Sequence, residues 1–460
     1  MQAVRPLHLA AWWPACGTIA LPSTGSRTKP DSVAGRIPRP LTVALVLVAG
    51  QLACCDDTKG SGHPVFPATI PSVPEGTYPQ YRLDPTHAGL SPPATSLAPS
   101  LTLAWTTKPL AIGNYSASRS SPAVDADRVY VGVDDGQLIA LDRRDGTVAW
   151  RFQTHRYFVE LATMDSLHLG IHGSPAVDDR SVYIGDYSGY LYAVDKVSGD
   201  LVWESHLGGS IGASPVLFGE FVFIAVEYPD PDGKVFVVCA QTGETVWTSP
   251  SLGHFAHSSV SIDAPHGLLF VGANNGVLFC FDYLRGQLQW SYQAGDAIKS
   301  TAAIVGDTVY ITSWDTRLYG LTIASGEPRL EFATRSASMS SPSVFQDRVY
   351  FGSGDGLLYA VATLDGKLDW AFQSEGSILS SPTVLQDAGL LAIGSSDKHL
   401  YLLDLATGEI RQSIELASGV TSVPVAVGDS LFVNDDAGTV YAFRISRHKT
   451  GAATEMSRRR

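Results

Sequence analysis

Apolar positions along this chain of 460 residues fall into three regimes. From Leu41 to Gly50 they form one continuous run, Leu-Thr-Val-Ala-Leu-Val-Leu-Val-Ala-Gly. From Asp56 to Ser100 no helical or strand period persists, and Pro, Ser, Gly and Thr dominate, as in Pro71-Ser72-Val73-Pro74 and Ser91-Pro92-Pro93. Beyond residue 100, short apolar bursts return at a fixed spacing, separated by turn residues. Two full copies are Ser121-Pro122-Ala123-Val124 … Val129-Tyr130-Val131-Gly132 … Leu138-Ile139-Ala140-Leu141-Asp142 … Gly146 … Trp150 and Ser174-Pro175-Ala176-Val177 … Val182-Tyr183-Ile184-Gly185 … Leu191-Tyr192-Ala193-Val194-Asp195 … Gly199 … Trp203. The skeleton returns from Ser341 to Trp370 and from Ser381 to Gly408, with degenerate copies near Ser214, Ser259, Thr301 and Ser422.

The glycine of the last turn falls at 146, 199, 243, 286, 326, 366 and 408, at spacings of 53, 44, 43, 40, 40 and 42 residues. A unit of that length holding four short strands is a propeller blade. Asp-Gly and similar pairs close its hairpins. The second and third strands are apolar on both faces, so they are expected between neighbouring blades. Seven glycines close seven fourth strands. The eighth copy stops after Gly438-Thr439-Val440-Tyr441-Ala442-Phe443, while Leu101-Thr102-Leu103-Ala104-Trp105 matches the Trp-bearing strand. The reading is an all-β, eight-bladed β-propeller over 101–445, its ring closed by an N-terminal strand joining the last blade, which removes exposed sheet edges.

Asp-x-x-x-Gly-x-x-x-Trp, as in Asp142–Gly146–Trp150, Asp195–Gly199–Trp203 and Asp282–Gly286–Trp290, resembles the tryptophan-docking motif of the pyrroloquinoline-quinone (PQQ) repeat propellers. The resemblance implies that Trp105, Trp150, Trp203, Trp247, Trp290 and Trp370 each lie against a neighbouring blade. Leu330 and Gln412 replace Trp in two copies, so the lock is expected to be incomplete there.

The apolar run at 41–50 follows Arg36 and Arg39 and precedes Leu52-Ala53-Cys54-Cys55, the layout of a bacterial signal peptide. It is short for a membrane span. The cysteines resemble a lipobox, with Cys54 or Cys55 as the lipidated thiol; export with simple cleavage is the alternative. Residues 1–35 lie upstream of the usual signal, as a mis-set start or a long leader expected to be disordered. Residues 36–55 form the export signal, 56–100 a Pro/Ser/Gly-rich tether, and 446–460 a basic, disordered tail.

A net charge of −13 excludes a nucleic-acid surface. Of five cysteines, Cys239 and Cys280 fall in strands and read as buried thiols, with a disulfide between them as the alternative; no Cys/His spacing suggests a metal. Quinoprotein dehydrogenases of this repeat class hold PQQ and Ca²⁺ on the ring axis, many beside an adjacent-cysteine disulfide. Here the adjacent pair Cys54-Cys55 lies outside the ring, and Asp230-Pro231-Asp232-Gly233 lacks a downstream bidentate Glu. No catalytic residue, metal or cofactor is therefore assigned, and PQQ-dependent dehydrogenation stands as an alternative. Blade alignment puts Arg119, His172, Gly212, His257, Lys299, Met339, Leu379 and Thr421 at one point before each inner strand. Arg119, His172, His257 and Lys299 would form a basic arc at one channel mouth, fit for a small anion. The long connection from His155 through Tyr157 to His172, with Glu227, Tyr228 and Trp314, marks candidate partner loops.

With an export signal beside a cysteine, a single ring and this repeat class, the chain resembles the BamB-like outer-membrane assembly lipoproteins, which are scaffolds without a cofactor. The resemblance implies a periplasmic or outer-membrane-associated monomer, tethered by lipid, that binds other envelope proteins.

Overall fold

The computed structural model describes residues 66–447, except 68, 70, 71, 74–76, 85, 92–98, 111–119, 156, 162 and 163. The leader, the export signal with Cys54 and Cys55, and residues 448–460 lie outside the described residues.

Blade 1 shows how the repeat folds. Ala123–Val124, Arg128–Gly132, Gln137–Asp142 and Val148–Gln153 form an antiparallel sheet in chain order from the axis outward. The middle strands are buried on both faces, whereas the outer strand is exposed at every second residue or more. Blades 2 to 7 repeat this over 176–206, 216–248, 261–293, 303–333, 343–373 and 383–415. Blade 8 takes Val425–Val427, Ser430–Asn434 and Val440–Arg447 from the C-terminal end and Pro99–Thr106 from the N-terminal end. Helix among the described residues is confined to two 3₁₀ turns, Ala264–His266 and Gln386–Ala388, and no helix is long and apolar enough to cross a membrane. Cys239 and Cys280 are buried free thiols.

Three recurring contacts join the blades. In the first, an indole lies on the next blade's last-turn glycine. A Cβ on Gly146, Gly199, Gly243, Gly286, Gly326 or Gly408 would come within 2.4–2.8 Å of the preceding blade's Trp105, Trp150, Trp203, Trp247, Trp290 or Trp370. The indole N–H then donates across the seam, as from Trp150 to the Lys196 carbonyl at 3.0 Å and from Trp203 to the Ala240 carbonyl at 2.9 Å. The second contact explains the glycine ending Val-Tyr-Val-Gly. A Cβ on Gly132, Gly185, Gly272, Gly352 or Gly394 would meet Ile171, Ile211, Ile298, Ile378 or Val420 of the next blade at 2.2–2.4 Å.

The third contact is a hydroxyl belt. The backbone N–H of Ser121 donates to Ser174 Oγ, Ser174 to Ser214, Ser214 to Ser259, Ser259 to Thr301, Thr301 to Ser341 and Ser341 to Ser381. Val423 occupies the eighth position; its N–H donates to Ser121 Oγ, while Ser380 Oγ reaches the Ser422 carbonyl. The Ser of each Ser-Pro pair thus accepts the N–H of the blade before it. The following Pro has no N–H that would otherwise be stranded on the axis.

Where a free tether was expected over 56–100, residues 77–91 instead close one end of the axial channel. Tyr78 pairs with Val124 in blade 1 and Leu90 with Val384 in blade 7. Between them, Val177 N–H reaches the Pro79 carbonyl, Leu217 N–H reaches Gln80 Oε1, His87 Nε2 meets the Val260 carbonyl, Ile304 N–H reaches the Thr86 carbonyl and Val344 N–H reaches the Ala88 carbonyl. Seven blades are contacted in turn. The physical cause is the innermost strand of each blade, whose free edge presents unpaired N–H and C=O groups to the axis. Residues 77–91 satisfy them. Arg82, 1 % exposed, donates to the carbonyls of His87, Ser341 and Pro342 and to Ser343 Oγ. Tyr81 Oη lies 3.3 Å from Ser341 Oγ and 3.4 Å from Ser381 Oγ. Upstream, Phe66 packs on Phe221, Phe223 and Tyr283, and Pro67 covers Gly219.

Candidate functional site: the open mouth of the channel

Inner-strand register sets three levels along the axis. The belt hydroxyls sit at 121, 174, 214, 259, 301, 341 and 381. The plug bonds residues further along the same strands, three positions on at 124, 177, 217, 304, 344 and 384 and one position on at Val260 in blade 4. The rim residues lie two positions before the belt. At roughly 3.3 Å per residue, rim and plug stand on opposite sides of it. Among the described residues the channel is therefore a cup, filled by the plug at one end and lined by the rim residues at the other.

Arg119 lies outside the described residues. His172, Gly212, His257, Lys299, Met339, Leu379 and Thr421 are each half-buried between two buried neighbours, as a lining demands. A second row interleaves with them, two residues beyond the end of each blade's second strand or its equivalent: Asp134, Tyr187, Glu227, Asn274, Trp314 and Asp436, with Gly354 and Ser396 opposite. This row changes the electrostatics. His172 Nε2 stands 3.9 Å from Asp134 Oδ1, and His257 Nδ1 stands 2.5 Å from Glu227 Oε1. Lys299 Nζ lies 3.9 Å above the Trp314 ring, a cation–π contact. Thr421 donates Oγ1–H to Asp436 Oδ1 at 2.6 Å. The basic arc expected for an anion is thus interlaced with carboxylates.

Tyr187 lies tilted against His172, ring centroids 4.4 Å apart, and its hydroxyl rests over Gly212, where a Cβ would stand 3.0 Å away. Phe255 accepts the Asn274 N–H on its carbonyl and lies beside His257. Blades 6 and 7 supply Met339, Leu379, Gly354 and Ser396, so the polar and aromatic groups crowd one side.

The candidate partner residues do not form one cluster. His155 sits on the outer edge of blade 2, against Tyr190, with Nε2 3.1 Å from Glu204 Oε2. Tyr157 opens the hairpin strand Tyr157–Leu161, which pairs with Met164–Leu169 between blades 1 and 2. Tyr228 donates to the Leu207 carbonyl at 2.9 Å, a structural bond. Glu227 and Trp314 belong to the mouth itself. Tyr187, Phe255 and Asn274 escape a reading of charges; aligning the residue two past each second strand would have found Tyr187 and Asn274 beside Trp314.

Among the described residues no three His, Cys, Asp or Glu groups converge closely enough to hold a metal ion. The mouth carboxylates instead face histidine or threonine, so these residues do not fit the calcium that accompanies a quinone in this repeat class.

The ring, its docked indoles and its blade repeat define a PQQ-type eight-bladed propeller. The chain belongs to the family described as "Outer membrane protein assembly factor BamB", matched over residues 102–168, 159–304 and 294–419. It is 23% identical over 343 residues to the outer membrane protein assembly factor BamB of Shewanella oneidensis, covering 71% of this chain and 84% of that one. With the BamB of Nitrosomonas eutropha it is 25% identical over 171 residues, 37% of each chain, so that match spans little more than a third of the relative's length. A quinohemoprotein alcohol dehydrogenase of Pseudomonas putida is 29% identical over 197 residues, 40% of this chain and 23% of the enzyme. The crystal structure of BamB from Moraxella catarrhalis superposes with a TM-score of 0.59 at 20% identity, over 77% of this chain and all of that one, a likeness of fold.

Proposed function

We propose that the protein is a non-catalytic scaffold of the cell envelope, acting in outer-membrane protein assembly. The observation that carries this reading is the family match running through the ring, from residue 102 to 419. The mouth supports it, since its ionisable groups are engaged with one another. Lipid on Cys54 or Cys55 would hold the ring at a membrane as a monomer, and the partners would be other envelope proteins. Photo-crosslinkers at His155 and Tyr157, in cells, should capture a component of outer-membrane protein assembly; capture of none at either position overturns the reading.

The second reading, a PQQ-dependent dehydrogenase, rests on the Pseudomonas putida match. Titrating the purified chain with PQQ and Ca²⁺ separates the two. A scaffold gives no spectral change and no dye reduction, and either signal would sink the non-catalytic assignment.

A further inference from the structure

We propose that the open mouth binds a neutral saccharide, end-on, on the side formed by blades 2 to 5. Four observations converge on this chemistry. First, three half-buried aromatic rings, Tyr187, Phe255 and Trp314, stand on the same face of neighbouring blades. The C–H face of a pyranose stacks on such rings, and an apolar wall with a few convergent polar groups is the usual make-up of a small-ligand site.

Second, the charges are matched. His172 faces Asp134, His257 contacts Glu227, and the Lys299 ammonium lies over the Trp314 indole. A small anion would have to displace these carboxylates to reach the bases, whereas an uncharged ligand leaves them in place. Third, Trp314 Nε1 and Asn274 Oδ1 are buried without a hydrogen-bond partner among the described residues. One is a donor and the other an acceptor, and a buried polar group left so is destabilising. A ligand hydroxyl can accept from an indole N–H or donate to an amide oxygen. Fourth, the other end of the channel is filled, Arg82 holding the blade 6 carbonyls and Tyr81 reaching the belt hydroxyls. A ligand must enter and leave through the mouth, which suits the end of a chain rather than one threaded through the ring.

The test is calorimetric titration of the full chain with chitotriose, maltotriose and inorganic phosphate in turn. At least one trisaccharide should bind saturably and phosphate should not. Trp314→Ala and Asn274→Ala should each weaken that binding about tenfold, the loss of one hydrogen bond or stacking surface. Trp314→Phe, which keeps an aromatic face and removes the N–H, should weaken it by a smaller factor, and its melting curve verifies that the ring is intact. Lys367→Ala, on the exposed last turn of blade 6, should change nothing. Absence of binding by both sugars, phosphate binding lost in Lys299→Ala, or sugar binding indifferent to both Trp314→Ala and Asn274→Ala would each overturn the proposal. The scaffold reading is tested by crosslinking and stands or falls separately.

Discussion

Arg82 is a guanidinium buried to 1 % exposure in a segment whose composition marks it as solvated. It is held by three carbonyl groups and one hydroxyl, and burial lowers its pKa from the ordinary arginine value. Arg82, Leu83 and His87 all take positive φ, which non-glycine residues adopt at a cost; the bonds around them hold that backbone in place. Arg82→Leu strands the carbonyls of Ser341 and Pro342 and should cost about 3 kcal/mol of stability, read as a lower denaturant midpoint. Gly89→Ala should act through the same atoms. Gly89 has φ +73°, and a Cβ there would meet Ser343 Oγ at 2.1 Å and Arg82 Nη2 at 2.2 Å, so its midpoint should fall at least as far. On the other side of the belt, burial pushes the Asp397 carboxyl up, but the Tyr401 hydroxyl and the His399 and Glu375 amides together hold it below the usual carboxylate range. A folded pKa below the unfolded one binds fewer protons, so this stabilisation is complete above the unfolded value of about 4 and is lost as pH falls through the folded one. Asp397→Asn should therefore lose less stability than the parent between pH 7 and pH 3 in denaturant melts.

At the scale of the blade, most of the architecture was legible because it is local and repeated. Ser-Pro, Val-Tyr-Val-Gly and Gly-x-x-x-Trp each encode a contact with a neighbouring blade, and most blades copy it. The sequence misleads where a contact changes its chemistry. Gln412, read as a gap in the tryptophan lock, accepts the Leu101 N–H at 2.7 Å and donates to the Leu101 carbonyl at 2.9 Å, so it clamps the closing strand. Leu330 lies less tightly on Gly366, where a Cβ would find 3.4 Å. Gln412→Ala should raise amide exchange along Leu101–Trp105 while leaving blades 2 to 4 protected. Trp150→Ala, which empties a packed seam, should cost about 3–5 kcal/mol, measured by chemical denaturation.

For the whole molecule, the plug was the illegible part. Its fifteen residues, 77–91, carry no period because they belong to no sheet of their own. Their conformation is dictated by edges distant in the sequence, as between Arg82 and Ser341. The mouth was half-legible: register found the rim, but the second row needed the fold. A chain beginning at residue 92 should melt at lower denaturant than one beginning at residue 66, because seven inner edges lose their partners.

Closure of the ring also imposes an order of events. Leu101 pairs with Ile445, so the first strand finds its partner only when the final strand exists, and the plug, which bonds blades 1 and 7, completes its contacts only when the seventh blade does. Until the final strand exists the growing chain holds an unmatched first strand. Contacts of such sequence separation are slow to form. The nascent ring is thus a clasp that cannot snap shut until its far end arrives.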